Sequence, residues 1–293
     1  MWILVTLAAT VFQIARTSEQ HRLREVLGVA EAGYARFAYA WPLAVVGATA
    51  WMLGPGELPE LGLKFWFSVT TAGVLQIVGT MSLLQSFRLR DFAVGTIYAK
   101  TEVVFVGIAS ALVLSEPLGW LSWIGALISL AGVAWLASNG SLRERLAGGL
   151  DPAAWYGILA ALTFGLTAVF IRRASTSLEG DAIDRALITL AVMLSVQTLV
   201  QGVAIGRSAT SSLTAVRRAW RQAIGVGVLS LAGSAGWALA MTLENAARVR
   251  TLGQIEIVFA FALGIVVHRE AHRVDEYIAA AVVTGGVTLL VIA

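Results

Sequence analysis

Glu102-Val103-Val104-Phe105 returns 154 positions later as Glu256-Ile257-Val258-Phe259. The same offset, without a gap, carries Gly73-Val74-Leu75-Gln76-Ile77-Val78-Gly79-Thr80 onto Gly227-Val228-Leu229-Ser230-Leu231-Ala232-Gly233-Ser234. It also carries Glu116 onto Glu270 and Gly132-Val133 onto Gly286-Val287. Matches of Gly, Val and Leu alone are what any two apolar stretches share. Two glutamates 14 residues apart in each copy, and in register, argue against chance and for an internal repeat. The front of each copy is fainter. Thr10-Val11-Phe12 ahead of Arg16 resembles Ala168-Val169-Phe170 ahead of Arg172, and Arg36 sits where Arg185 sits, at a slightly shorter offset.

The repeat lies in an apolar chain. Of 293 residues, 58% are hydrophobic and 13% charged, and mean hydropathy is +0.78. Soluble domains run at about 45–50% apolar and about 25% charged, so a soluble fold of this size has nowhere to hide the surplus. The composition excludes an ordinary soluble enzyme, a nucleic-acid-binding domain and a disordered chain. The chain has no cysteine and three histidines, His21, His268 and His272, none of them mid-span. Thiolate metal sites, disulfides and a buried haem are therefore not expected, and no cofactor or metal is implied. The net charge of +3 reports loop topology and contact with lipid headgroups. The expected partners are a small-molecule substrate and membrane lipids, with no nucleic acid, and the chain is expected to be a monomer.

A helix needs about 20 apolar residues to cross the hydrocarbon core. Ten segments qualify, at roughly 2–17, 31–53, 64–86, 92–115, 118–138, 153–173, 182–206, 219–243, 247–267 and 274–293. Spans must be helical because lipid offers the backbone no partner, and the alternation of barrel strands is absent. The first segment is expected to be a retained helix and not a signal peptide. It has no basic leader, and Gln13 and Arg16 stand where a small-residue cleavage site would be. The Gly/Ser/Thr stretch from Gly206 to Thr214, with Arg217, Arg218 and Arg221 after it, reads as a loop. Five spans per copy is an odd number, so the second copy enters the membrane inverted. The fold class is thus all-α integral membrane, ten transmembrane helices in two inverted five-helix repeats. Residues 1–140 form the first repeat, 141–151 a connecting loop, and 152–293 the second. Inverted repeats are an architecture of secondary transporters, with sites near the midplane where the repeats meet.

An ionisable group at bilayer depth costs about 2.5–3.5 kcal/mol on insertion scales, so such residues mark candidate sites. Glu102 and Glu256 lie mid-span at equivalent repeat positions. Desolvation disfavours a charged carboxylate, which makes both candidates for proton coupling as well as for binding a substrate ammonium. The competing reading is a carboxylate tied structurally to a neighbouring helix. Lys100, two residues before Glu102, cannot share its helix face. Lys100 is left to pair with Glu256 or to bind a substrate carboxylate, and its counterpart Gln254 makes the two copies unequal there. Gln76 with Thr80, and Ser230 with Ser234, form polar stripes at i, i+4. Trp237 and Met241 continue the second face, and Gln13 joins Thr6 and Thr10 on the first span. These are candidate cavity walls, or else helix–helix contacts, as Thr163 and Thr167 also are. Arg36, near Tyr34 and Tyr39, is expected to snorkel to a headgroup or to serve a gate. Glu116 and Glu270 are expected to cap the helix that follows or hold a gate. Most remaining tryptophans lie near span ends and form an interfacial belt.

Glu102-Val103-Val104-Phe105, then Leu114-Ser115-Glu116-Pro117-Leu118, then Gly125 and Gly132-Val133, resemble the drug/metabolite transporter superfamily, EamA type. The second copy fits too, with Gln254 to Phe259, Arg269-Glu270 and Gly285-Gly286-Val287, and Arg36-Phe37 resembles the family's second span. Val103 stands where proline is common, Ser115 where glycine is, and Ala271 where the first copy keeps Pro117. The resemblance implies a secondary transporter of small metabolites working by alternating access; the direction expected is export, and the place a plasma membrane, expected to be a bacterial inner membrane. Spans 1, 3, 4, 6, 8 and 9 would line the cavity. The resemblance also implies cytoplasmic termini. Loop charge argues the reverse, since one side collects 13 Lys and Arg and the other six, Lys64, Arg172, Arg173, Arg185, Arg248 and Arg250. The rival readings are cationic drug efflux, lipid flipping or scrambling, a pore, and a structural subunit. An intramembrane enzyme lacks any convergent catalytic group.

Overall fold

A chain this apolar satisfies its backbone most simply within single segments, as helices do. The computed structural model describes residues 1–89, 92–137, 152–259, 262 and 274–293, and no strand occurs among the described residues. In chain order the helices are α1 (Trp2–Val26), α2 (Val29–Ala38), α3 (Trp41–Met52), α4 (Leu63–Leu89), α5 (Phe92–Lys100), α6 (Glu102–Leu114), α7 (Trp120–Ala137), α8 (Pro152–Ser175), α9 (Ala182–Gly206), α10 (Leu213–Arg218), α11 (Trp220–Leu243), α12 (Ala246–Leu252) and α13 (Val274–Ile292). A 3-10 turn, Gly253–Ile255, follows α12, and residues 256–259 are again α-helical. Among the described residues, six segments are long and apolar enough to cross a bilayer: α4, Ile97–Leu114, α8, α9, α11 and α13. Trp120–Leu136 is a shorter apolar helix.

Five features differ from the sequence reading. The first span does not stop at residue 17; α1 continues through a polar tail to Val26, where Arg22 pairs with Glu19 one turn back. The second is two helices, because Pro42 has no N–H to give and its ring crowds the carbonyl four residues earlier. The fourth is broken at Thr101. There the Thr101 N–H reaches back only three residues to the Tyr98 carbonyl (3.2 Å), and the Val104 N–H likewise to Thr101 (3.0 Å). The Thr101 hydroxyl donates to the same Tyr98 carbonyl at 2.6 Å. The ninth is interrupted by its 3-10 turn. The stretch read as loop before Arg221 contains α10, started by Ser212, whose hydroxyl accepts from the Ala215 N–H at 3.3 Å.

The chain forms two compact units. Unit 1 is Met1–Met81 with Phe170–Glu244, and unit 2 is Ser82–Val169 with Asn245–Ala293. Each unit draws on both sequence repeats, and the chain passes between units inside α4, inside α8 and between α11 and α12. In unit 1, α1 packs on α11, where a Cβ on Gly236 would lie 2.8 Å from the Ala9 methyl. Beside them Leu23, Leu27, Ala32, Ala35, Val216, Ala223 and Val226 close a core between α1, α2, α10 and α11. In unit 2, α7 packs along α13. A Cβ on Gly125 would come 2.6 Å from the Gly286 carbonyl, and one on Gly132 2.8 Å from the Val283 nitrogen. Such close approach suits membrane helices, whose association rests on van der Waals packing. Val103, Ala126 and Leu290 join α6 to this pair.

Candidate functional site

Unit 2 gathers four ionisable side chains at its two helix interruptions. Lys100 ends α5 and Glu102 begins α6. A helix C-terminus carries partial negative charge and an N-terminus partial positive charge, so cation and anion each sit at the half-helix end that favours them. Arg250 in the last turn of α12 and Glu256 at the resumed helix repeat that order. Neighbours two apart point to different sides, and the pairing runs crosswise. The Lys100 ammonium pairs with the Glu256 carboxylate. One Arg250 nitrogen, Nη2, donates to both Glu102 oxygens at 2.5 and 2.6 Å. Each glutamate therefore meets a cation from the other copy of the repeat. Glu256 was one of the two partners that the spacing of Lys100 left open.

The interruption also frees backbone groups, and side chains take them up. With the Val104 N–H bonded to Thr101, the Lys100 carbonyl accepts from Gln254 Nε2 at 3.3 Å. The Gln254 Oε1 accepts from the Ser129 hydroxyl of α7 at 2.7 Å, and Gln254 is fully buried. At the far end of α6, Ser115 turns left-handed (φ 58°, ψ 33°) and the Glu116 N–H donates to the Ser110 carbonyl at 3.1 Å. Glu116 also ties the end of α6 to the start of α12. Its carbonyl and Oε2 accept from Asn245 Nδ2 at 3.2 and 3.1 Å, while Asn245 Oδ1 caps α12 by accepting from the Ala247 and Arg248 N–H groups. Glu270 lies outside the described residues.

Unit 1 holds the other candidates. Arg36 does not snorkel: it is buried and donates from Nη1 to the Thr80 hydroxyl at 3.0 Å. Gln76 accepts from Gln197 Nε2 at 2.7 Å. One turn on, Gln201 donates to the Ala30 carbonyl at 3.1 Å. Gln13 accepts from the Trp237 indole N–H at 2.9 Å, joining α1 to α11. Ser230 and Ser234 are buried, and the Ser230 hydroxyl has no hydrogen-bond partner among the described residues. The hydroxyls of Thr6, Thr10, Thr163 and Thr167 instead bond carbonyls of their own helices, as mid-helix threonines do when no better partner is near. Among the described residues, no three His, Asp or Glu side chains converge as metal ligands would.

The sequence reading missed Arg250, Ser129, Gln197 and Gln201. Arg250 had been counted as a loop charge, although it falls inside an apolar segment six residues before Glu256. Arg172, counted likewise, donates to the Met241 and Glu244 carbonyls at 2.9 and 2.6 Å and so caps the end of α11. Gln197 and Gln201 repeat the i, i+4 polar spacing of Gln76 and Thr80 and were legible by that rule.

A family model described as the EamA-like transporter family matches the sequence twice, over residues 1–138 and 151–292. Among solved structures, one described only as a crystal structure of a protein superposes with a TM-score of 0.73 at 16% identity, covering 99% of this chain and 96% of the other. That likeness is one of fold. Comparison with curated proteins gives no match.

Proposed function

From the premise that the chain belongs to the EamA-like transporter family, a family of multi-pass membrane transporters of small solutes, we propose that it is a secondary transporter. On this reading it exports amphipathic metabolites of amino-acid type by alternating access in a plasma membrane. The Lys100–Glu256 pair carries the reading. A buried charge stripped of its partner is costly, about 3–5 kcal/mol when one member of a pair is removed. A solute bearing both an ammonium and a carboxylate replaces both partners at once, taking Glu256 with one end and Lys100 with the other. A singly charged solute strands one of them. The interrupted helices supply the backbone freedom that transporter sites use. Gln76, Thr80, Ser230, Ser234, Trp237 and Gln13 are proposed as polar contacts of the solute pathway, with Gln254 setting the Lys100 backbone.

Coupling to protons is part of the proposal, through Glu256, the more exposed of the two glutamates. A proton on Glu256 releases Lys100 to a solute carboxylate. The test is counterflow of labelled amino acids in proteoliposomes. Saturable exchange is expected, with Glu256→Gln and Lys100→Gln each lowering it about tenfold or more at equal protein. Non-saturating lipid scrambling, or single-channel current, overturns the transporter reading. Flux that keeps its pH dependence in Glu102→Gln/Glu256→Gln removes the proton claim.

A further inference from the structure

The two glutamates are equivalent in the repeat but not in their surroundings. One Arg250 nitrogen spans both oxygens of Glu102, whose side chain is only 4% exposed. Glu256 keeps 14% of its side-chain surface, while the two cations are alike at 10% for Lys100 and 13% for Arg250. The cations differ in chemistry. A guanidinium is planar, weakly hydrated and suited to a lasting carboxylate grip, whereas an ammonium is a compact, strongly hydrated point charge on a flexible stem. Their spacing differs too, since Lys100 lies two residues before its own copy's glutamate and Arg250 six before its own.

Resting on the transporter reading above, we infer that the two pairs have separate duties. Arg250 is a positioning residue: it holds Glu102 and so keeps α6 starting at residue 102, which places Lys100 at the end of α5. Lys100 and Glu256 are the pair that opens to the solute. Glu102, enclosed and held at both oxygens, meets neither solute nor proton.

Neutralising both members of a pair separates the two duties, because a strut needs charge balance while a binding pair needs the charges themselves. The variants are Glu102→Gln, Arg250→Gln, their double, Arg250→Lys, and the double Lys100→Gln/Glu256→Gln, each in the full chain. Counterflow in proteoliposomes gives KM and maximal rate as functions of pH, and thermal unfolding in detergent reports folding. Glu102→Gln and Arg250→Gln are each expected to lower the unfolding temperature and cut the maximal rate about tenfold, through the stranded partner. Their double is expected to regain most of both, with the pH profile and KM of the parent, and Arg250→Lys to fall between. Lys100→Gln/Glu256→Gln is expected to unfold like the parent yet lose transport and its pH dependence.

The inference is overturned if the Glu102/Arg250 double stays as unstable or inactive as its single variants. It is also overturned if the Lys100/Glu256 double transports normally or fails to fold. Failure of the transporter reading looks different: the parent then shows no saturable exchange at all.

Discussion

Ser115 occupies a backbone conformation that costs an L residue energy. Its φ of 58° is the left-handed region, where glycine pays no steric penalty and where helices commonly end. The sequence comparison marked this position as one where serine stands in for a common glycine, and the torsion angle supplies the reason for the glycine. Ser115→Gly is expected to raise stability by about 1 kcal/mol, seen as a higher unfolding temperature in detergent. Ser115→Val is expected to lower it. At the same scale, Gln13→Leu leaves the Trp237 N–H without its acceptor and is expected to cost about 1–3 kcal/mol. Residues whose chemistry is conspicuous in lipid, such as Lys100, Glu102 and Glu256, stand out in the sequence by composition alone. Arg250 does not, because a cation near the edge of an apolar segment looks the same whether it lies in a loop or reaches inward.

Among elements, the pair α7 and α13 shows where sequence stops being informative. Gly285 and Gly286 are adjacent and chemically identical. A Cβ on Gly285 meets nothing within 4 Å, while one on Gly286 would run into Ser129 backbone atoms and approach the Gly125 carbonyl to 2.7 Å. Gly285→Ala is therefore expected to stabilise α13 by about 0.5–1 kcal/mol through helix propensity. Gly286→Ala is expected to destabilise by about 1–3 kcal/mol through overpacking. A pair of thermal unfolding curves decides it, and equal shifts would contradict the packing described. The existence of the long apolar helices was readable from their length, whereas the short α10 was read as loop. Helix continuity was not readable. The break at Pro42 had a visible cause, but the one at Thr101 falls in Tyr98-Ala99-Lys100-Thr101-Glu102, with neither proline nor glycine to announce it. It shows only once Gln254 is seen bonded to the carbonyl it frees.

For the whole molecule, the sequence period and the compact units divide the chain differently. The repeat is written as two consecutive halves, whereas each unit takes segments from both. Neighbouring positions along the chain carry the period; long-range packing decides the units, and no local pattern encodes it. Residues 1–140 expressed alone are then expected to be degraded. Co-expression with residues 152–293 is expected to restore accumulation, measured by the yield of the paired fragments.

The crosswise pairing at the helix interruptions has a consequence in time. Glu102 precedes Arg250 by 148 residues and Lys100 precedes Glu256 by 156. At a synthesis rate of about 5–20 residues per second, the first two charges leave the ribosome roughly 7 to 30 seconds before their partners exist. During that interval neither charge has its final counter-ion, so the early spans must wait at the insertion machinery or at the bilayer surface. The crosswise pairing thus delays the charge balance of the first interruption until the second has been made.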